Sequence, residues 1–172
     1  MRQSGSGDDG GVDLTEPATQ PSQEDLAAWH RAMAPLAFNH TWSLLDRNGL
    51  NREQEEEMLS SAFAQRYHWY QVGEPRNWAI ADWQISRVAA VLGYAELAFR
   101  FGQRSLEICV EHGLDAFVTG FAHEAIARAA AEVDDLETFT EHLGLARSML
   151  TAVDDQEDRV TLEADLAEMS ER

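Results

Sequence analysis

After Pro21, apolar side chains recur at intervals of three and four along almost the whole chain, the spacing of helices with one buried face. The first run is Leu26, Trp29, Met33, Leu36, His40 and Leu44. Ser22 with Asp25 predicts its N-cap and capping box. Pro35 is expected to kink or divide this helix, and Asn48-Gly49 to stop it. Asn51, with Gln54 three residues on, predicts the cap of a second helix that ends at Val72-Gly73-Glu74-Pro75.

A third helix is predicted from Pro75, since proline suits a first turn. It carries Ala81, Ile85, Val88, Ala89 and Leu92 on one side, and Gly93 closes it. A fourth runs from about Ala95 to His112 with Ala98, Phe101, Ser105 and Ile108 inward, ending at Gly113. A fifth covers about Asp115 to Val133, and Asp134-Asp135 makes the turn. Leu136, Phe139, Leu143, Ala146 and Leu150 mark the sixth. A seventh, acidic helix starts near Asp154 and carries Leu162, Leu166 and Met169. No stretch alternates with period two over a strand's length. The expected fold class is therefore all-α, with about seven helices in stacked antiparallel hairpins. The pairs are expected over 22–72, 75–113 and 115–152, with a capping helix over 154–170.

Shifting the chain by about 41 residues lays Ile85-Ser86-Arg87-Val88-Ala89-Ala90 on Ile126-Ala127-Arg128-Ala129-Ala130-Ala131 and Gly93 on Asp134. Small residues then coincide at Ser86/Ala127 and Ser105/Ala146. Small side chains at such sites let two helices approach closely. Leu92-Gly93-Tyr94-Ala95-Glu96-Leu97-Ala98, followed by Ser105-Leu106-Glu107-Ile108, resembles the turn and second helix of a tetratricopeptide repeat. The likeness covers roughly residues 78–150 as two units. It departs from the family in its longer period, in the missing Trp and Tyr of the first helix, and in the absence of a closing Pro. The segment from Tyr67-His68-Trp69 through Trp83-Gln84-Ile85-Ser86-Arg87 is also similar to bacterial proteins without an assigned activity, so it brings no chemistry with it. The resemblance implies a right-handed superhelix of helix pairs and a protein or peptide partner.

Composition narrows the partner. Thirty-one acids face 13 basic residues, all of them Arg, for a formal charge of −18. Nucleic acid and anionic membrane both demand basic surface, so neither is an expected partner. A protein or peptide with a basic or neutral segment fits the overall charge better, and a carboxylate-bearing segment is implied only by the Arg87/Arg128 pair. Residues 1–21 are rich in Gly, Ser, Asp and Thr, with almost no apolar side chains, and are expected to form a disordered tail. Cys109 is the lone cysteine, no early segment has the form of a signal peptide, and no apolar run reaches about 18 residues. A cytoplasmic protein is the expectation.

The candidate binding residues lie between Tyr67 and Arg87: His68, Trp69, Tyr70, Arg76, Trp78, Trp83 and Arg87. Trp, Tyr and Arg are the types enriched at binding hot spots. Two readings fit, a binding groove and a core between the second and third helices. Arg87 and its repeat partner Arg128 could clamp a carboxylate or phosphate from one surface. Arg128 is bracketed by Glu124 and Glu132 at helical spacing, which predicts weak surface pairs. Arg87 has Trp83 at that spacing instead, available for stacking. His40, on the apolar stripe, reads as a hydrogen-bonded core histidine. His123-Glu124, and Cys109 with His112, bring no third ligand at metal spacing. No catalytic residue, metal or cofactor is assigned. The leading expectation is a non-enzymatic interaction module using a surface of the third and fifth helices. The alternatives are a small-molecule site or small enzyme with a pocket near His68 and His123, and a regulatory or structural subunit that works as a homodimer.

Overall fold

The computed structural model describes residues 20–170. Nearly all of the tail expected over residues 1–21 lies outside them. The described residues form seven α-helices: α1 (Gln23–Leu45), α2 (Arg52–Val72), α3 (Pro75–Val91), α4 (Ala95–His112), α5 (Ala116–Ala131), α6 (Leu136–Met149) and α7 (Gln156–Ser170). A single 3₁₀ turn at Leu150–Ala152 links the last two. None of the helices is long and apolar enough to cross a membrane.

The local signals explain the boundaries. Ser22 accepts from the Asp25 amide at 3.1 Å, and Asn51 and Gln54 bond each other's backbone at 3.0 Å. Pro75 opens α3. The turns after α3 and α5 are built alike. Gly93 and Asp134 hold positive φ, +75° and +56°. The following amides, Tyr94 and Asp135, reach back to the carbonyls of Ala89 and Ala130 at 2.8 and 3.0 Å. Left-handed backbone is free to glycine and tolerated by aspartate, which is why these two types end the helices.

From α1 to α6, consecutive helices pack along one another across short turns, so neighbours run antiparallel, whereas α7 rests mainly on α5. α3 and α5 are central. α3 packs on α2, α4 and α5, and α5 packs on α3, α4, α6 and α7. Both are buried almost all round. Their Ala-rich faces allow this, because small side chains shorten the distance between axes. Ser86, Ser105, Ala127 and Ala146 are all fully buried. Ser86 donates to the Ala98 carbonyl at 2.7 Å and Ser105 to the Ala79 carbonyl at 2.9 Å. Each hydroxyl thus ties α3 to α4 where a larger side chain would part them.

The expectations for α1 need correction. Pro35 does not divide it; the helix runs unbroken through the proline. Its inner face is also rotated from the expected stripe. Leu26, Trp29 and Leu36 are exposed, while Ala34, Thr41 and Leu44 are buried. The small residues decide this. Ser61 of α2 donates to the Ala37 carbonyl at 3.0 Å, which draws α2 against this small-residue face. His40 is turned outward and meets Glu57 at 2.9 Å, so it is no core histidine.

Candidate functional site

The aromatic and Arg-rich segment, read from sequence as either a binding groove or a core between the second and third helices, is divided by α3 between two of its faces. Trp78 and Asp82, one turn apart, look toward α2 and α4. Trp83 and Arg87, also one turn apart, look toward α1, α5 and α7.

On the first face, Asp82 is fully buried and receives Arg66, Arg104 at 3.3 Å and the Tyr70 hydroxyl at 3.0 Å. The Arg66 guanidinium lies 4.1 Å over the Tyr70 ring, and Tyr70 stacks on Trp78 at 5.5 Å. Burial pushes the Tyr70 hydroxyl above its usual pKa, so it stays a neutral donor to Asp82. The Trp78 indole donates to the Trp69 carbonyl at 3.1 Å. These groups answer one another and hold α2, α3 and α4 together. Arg76 stands apart, paired with Asp115 at the start of α5.

On the second face, Glu124 of α5 is the hub. It is fully buried. Its carboxylate accepts from the Trp83 indole at 3.0 Å and from Arg128 Nε at 2.6 Å. Arg87 Nη1 lies 3.5 Å from it and 3.2 Å from Asp165 of α7. Arg128 is only 5% exposed, so its pair with Glu124 is a buried one, contrary to the surface pairing expected from spacing. Burial opposes the Arg128 charge, but the adjacent Glu124 outweighs it and the pKa rises. Burial moves Asp165 the other way, raising its pKa against the pull of Arg87. The ring beneath Arg87 is Trp42, 5.5 Å from its guanidinium, rather than Trp83. Glu124 and Asp165 thus occupy the place where a partner's carboxylate was expected. The two arginines lock α3, α5 and α7 and do not form an open clamp.

Beside this network lies a pocket of about 240 Å³. Phe38 and Trp42 of α1, Ile80 and Trp83 of α3, and Phe117, Val118 and Phe121 of α5 line it, with Thr161 of α7 at its edge. Phe121 meets Trp83 and Phe117 edge to face, and Trp42 lies tilted against Trp83. Trp83 and Phe121 are 5.0 Å apart, Phe117 and Phe121 also 5.0 Å, and Trp42 and Trp83 5.8 Å. Such spacings favour aromatic contact. Phe38, Trp42, Ile80 and Phe117 stay half-buried, which leaves the pocket reachable from outside. Trp83 and Trp42 join it to the charged network: the Trp83 ring is wall while its N–H is committed to Glu124, and the Trp42 ring is wall while Arg87 lies over it.

No protein-family model, no curated protein and no solved structure matches this chain. Its site must therefore be read from its own geometry.

The histidines do not surround one pocket. His68 meets His30 of α1, Nδ1 to Nδ1, at 2.7 Å, with Trp29 and Tyr67 edge-on around them. His123 meets His142 of α6 at 3.0 Å. In each pair one ring must donate and the other accept, so both pairs require a neutral acceptor. Among the described residues no group of three or more His, Cys, Asp or Glu could hold a metal ion. Cys109 is buried and its thiol is pushed up to about 11, chiefly by burial, so it is neutral at physiological pH.

Burial, and then His142, hold His123 down at about 4. The unfolded chain takes up this proton near pH 6.5, whereas the folded protein resists until about 4. The contribution to stability is thus complete above pH 6.5 and is lost as pH falls toward 4. It amounts to about 2–3 kcal/mol at full loss. In urea titrations, the stability gap between wild type and His123→Gln is expected to shrink by about 2 kcal/mol between pH 7 and pH 4.5. A gap independent of pH would remove His123 as the acid-sensitive group.

Of the predicted residues, then, the structure brings together Trp83, Arg87 and Arg128. Tyr70 joins Trp78, with Trp69 through its carbonyl, on another face; His68 and Arg76 stand elsewhere. Sequence reasoning missed Phe38, Trp42, Phe117 and Phe121, and it read Glu124 only as a flank of His123 and Arg128 and Asp165 only as part of a solvated cap. The four rings leave one trace in the sequence, a spacing of four within Phe38/Trp42 and Phe117/Phe121, matching that of Trp83/Arg87.

Proposed function

We propose that the chain is a non-enzymatic binding module of the tetratricopeptide-like type, which seats a bulky apolar side chain of a protein or peptide partner in the aromatic pocket. The observation that carries this reading is the pocket itself, walled by aromatic rings and lined by no titratable group among the described residues. Its size favours an anchor side chain over a whole ligand, since pockets for free small molecules run to about 300–1,000 Å³. Buried aromatic anchor sites of this sort dominate protein–protein affinity. The matched turns after α3 and α5, and the fully buried small residues at 41-residue spacing, support the tetratricopeptide-like reading.

Thr161 is exposed at the pocket edge, so its side chain can be enlarged without burying anything new. A peptide library selected against the protein is expected to yield ligands sharing one large apolar residue. Thr161→Phe is expected to weaken them at least about tenfold with thermal stability unchanged. Ligands without a common apolar residue, or ones indifferent to Thr161→Phe, would refute the pocket as the binding site.

A further inference from the structure

A second concave surface lies between α4 and α6, away from the aromatic pocket. Both helices pack on α5, and the groove between them has a volume of about 1020 Å³. Phe99, Leu106 and Val110, spaced by seven and four, form an apolar strip along α4, and Ile126 of α5 joins it from below. Val110 is 74% exposed, far more than an apolar residue that serves only the core of this chain. The rim is acidic on both sides: Glu107 and Glu111 on α4, Glu141 on α6 and Asp135 at the α6 N-cap. Among the described residues no arginine lines it.

We propose that this groove docks an amphipathic helix of a partner protein, with apolar residues on its inner face and Lys or Arg on its flanks. Shape and charge both select that occupant. A helix about 10 Å across, rising 1.5 Å per residue, fills about 120 Å³ per residue, so the groove has room for about two turns. Two turns place three or four apolar side chains on one face, which matches an apolar floor. The acids on both banks then meet basic flanks at bonding range, and an acidic helix is repelled by the same groups. A second copy of this chain fits poorly, because it would set acids against acids across the same rim.

The probe is a labelled Leu/Lys peptide with leucines at helical spacing, titrated at about 0.15 M salt, where long-range attraction to the overall charge is screened. A scramble of the same composition and a Leu/Glu peptide of the same pattern are the comparisons. Binding of the Leu/Lys helix alone is expected. Val110→Asp is expected to weaken it at least about tenfold. The double reversal Glu107→Arg/Glu111→Arg is expected to weaken it about tenfold more than Glu53→Arg/Glu157→Arg, which changes the net charge equally on exposed sites outside the groove. Thr161→Phe is expected to leave it untouched, which separates this surface from the aromatic pocket. The proposal is overturned if the Leu/Lys helix does not bind, if the scramble binds as tightly, or if Val110→Asp changes nothing. It is overturned equally if the two double reversals act alike, which would mean attraction to bulk charge, or if light scattering shows the groove taken by a second copy of the chain.

Discussion

Glu124→Ala is expected to lower the unfolding free energy by about 3–5 kcal/mol, a large share of the about 5–15 kcal/mol that holds a domain together. The carboxylate is fully buried and gathers Trp83, Arg128 and Arg87. Removing it leaves the Arg128 guanidinium in a dry interior with its nearest counter-charge gone. It also takes the acceptor from a buried indole N–H. Arg87 keeps Asp165 at 3.2 Å, which limits the damage to one orphaned charge and one orphaned donor. Thermal unfolding is expected near 10 °C below wild type. The decisive comparison is Glu124→Met with Arg128→Met, which removes the pair together. That double variant is expected to recover most of the loss, since an apolar pair can replace a buried ion pair at little cost. If the double variant is as unstable as Glu124→Ala, the cost lies in lost packing around Trp83 and not in an uncompensated charge.

The second large effect concerns the seating of α7. Leu162, Leu166 and Met169 are buried, and Leu162 packs on Gly120 of α5. A Cβ at Gly120 would stand 2.6 Å from Leu162 Cδ2 and 3.4 Å from Met149 Cβ. Gly→Ala inside a helix ordinarily stabilises by up to about 1 kcal/mol. Here the clash is expected to reverse the sign, and Gly120→Ala should destabilise by about 1–2 kcal/mol. Leu162→Ala alone should cost about 2–5 kcal/mol through lost burial and a cavity. Combined, they are expected to destabilise less than their sum. In the Leu162→Ala background the methyl introduced by Gly120→Ala enters vacated space, so that substitution becomes neutral or stabilising there. Urea titrations of the four proteins measure this coupling, expected at about 1–3 kcal/mol. Strict additivity would mean that α7 does not bear on Gly120.

The acids of α7 also behave differently from one another. The sequence places Asp154, Asp155, Glu157, Asp158, Glu163, Asp165 and Glu168 on a helix expected to be a solvated cap. Most do face water, but Asp165 turns in to Arg87. The helix that closes the aromatic pocket on one edge is therefore held by a charge as well as by three apolar side chains.

Helix type and number were legible because their causes are local. Ser22, Asn51 and Pro75 start helices through bonds to their own neighbourhood. Gly93, Gly113 and Asp134 stop them by adopting a backbone hand that needs no distant partner. The inner face of α4, at Ala98, Phe101 and Ser105, was also legible, because one side of that helix is wet and the 3.6-residue period survives. On α3 the expected face at Ala81, Ile85, Val88 and Ala89 is buried as read, but Asp82, Trp83, Gln84 and Ser86 on its other sides are buried too, and on α5 burial nearly all round erases the period. Spacing could say that Trp83 and Arg87 share a face, and likewise Phe117 with Phe121 and Phe38 with Trp42. It could not say that these three faces meet. Arg128 was misjudged for the same reason: a Glu at i−4 looks identical in sequence whether the pair faces water or another helix. Which face meets which depends on how closely axes approach, and that is set by small residues such as Ser61, Ser86 and Gly120 acting on helices far away in the chain. Caps and turns are written within a few residues; the pocket and the buried carboxylate exist only once distant helices close on them.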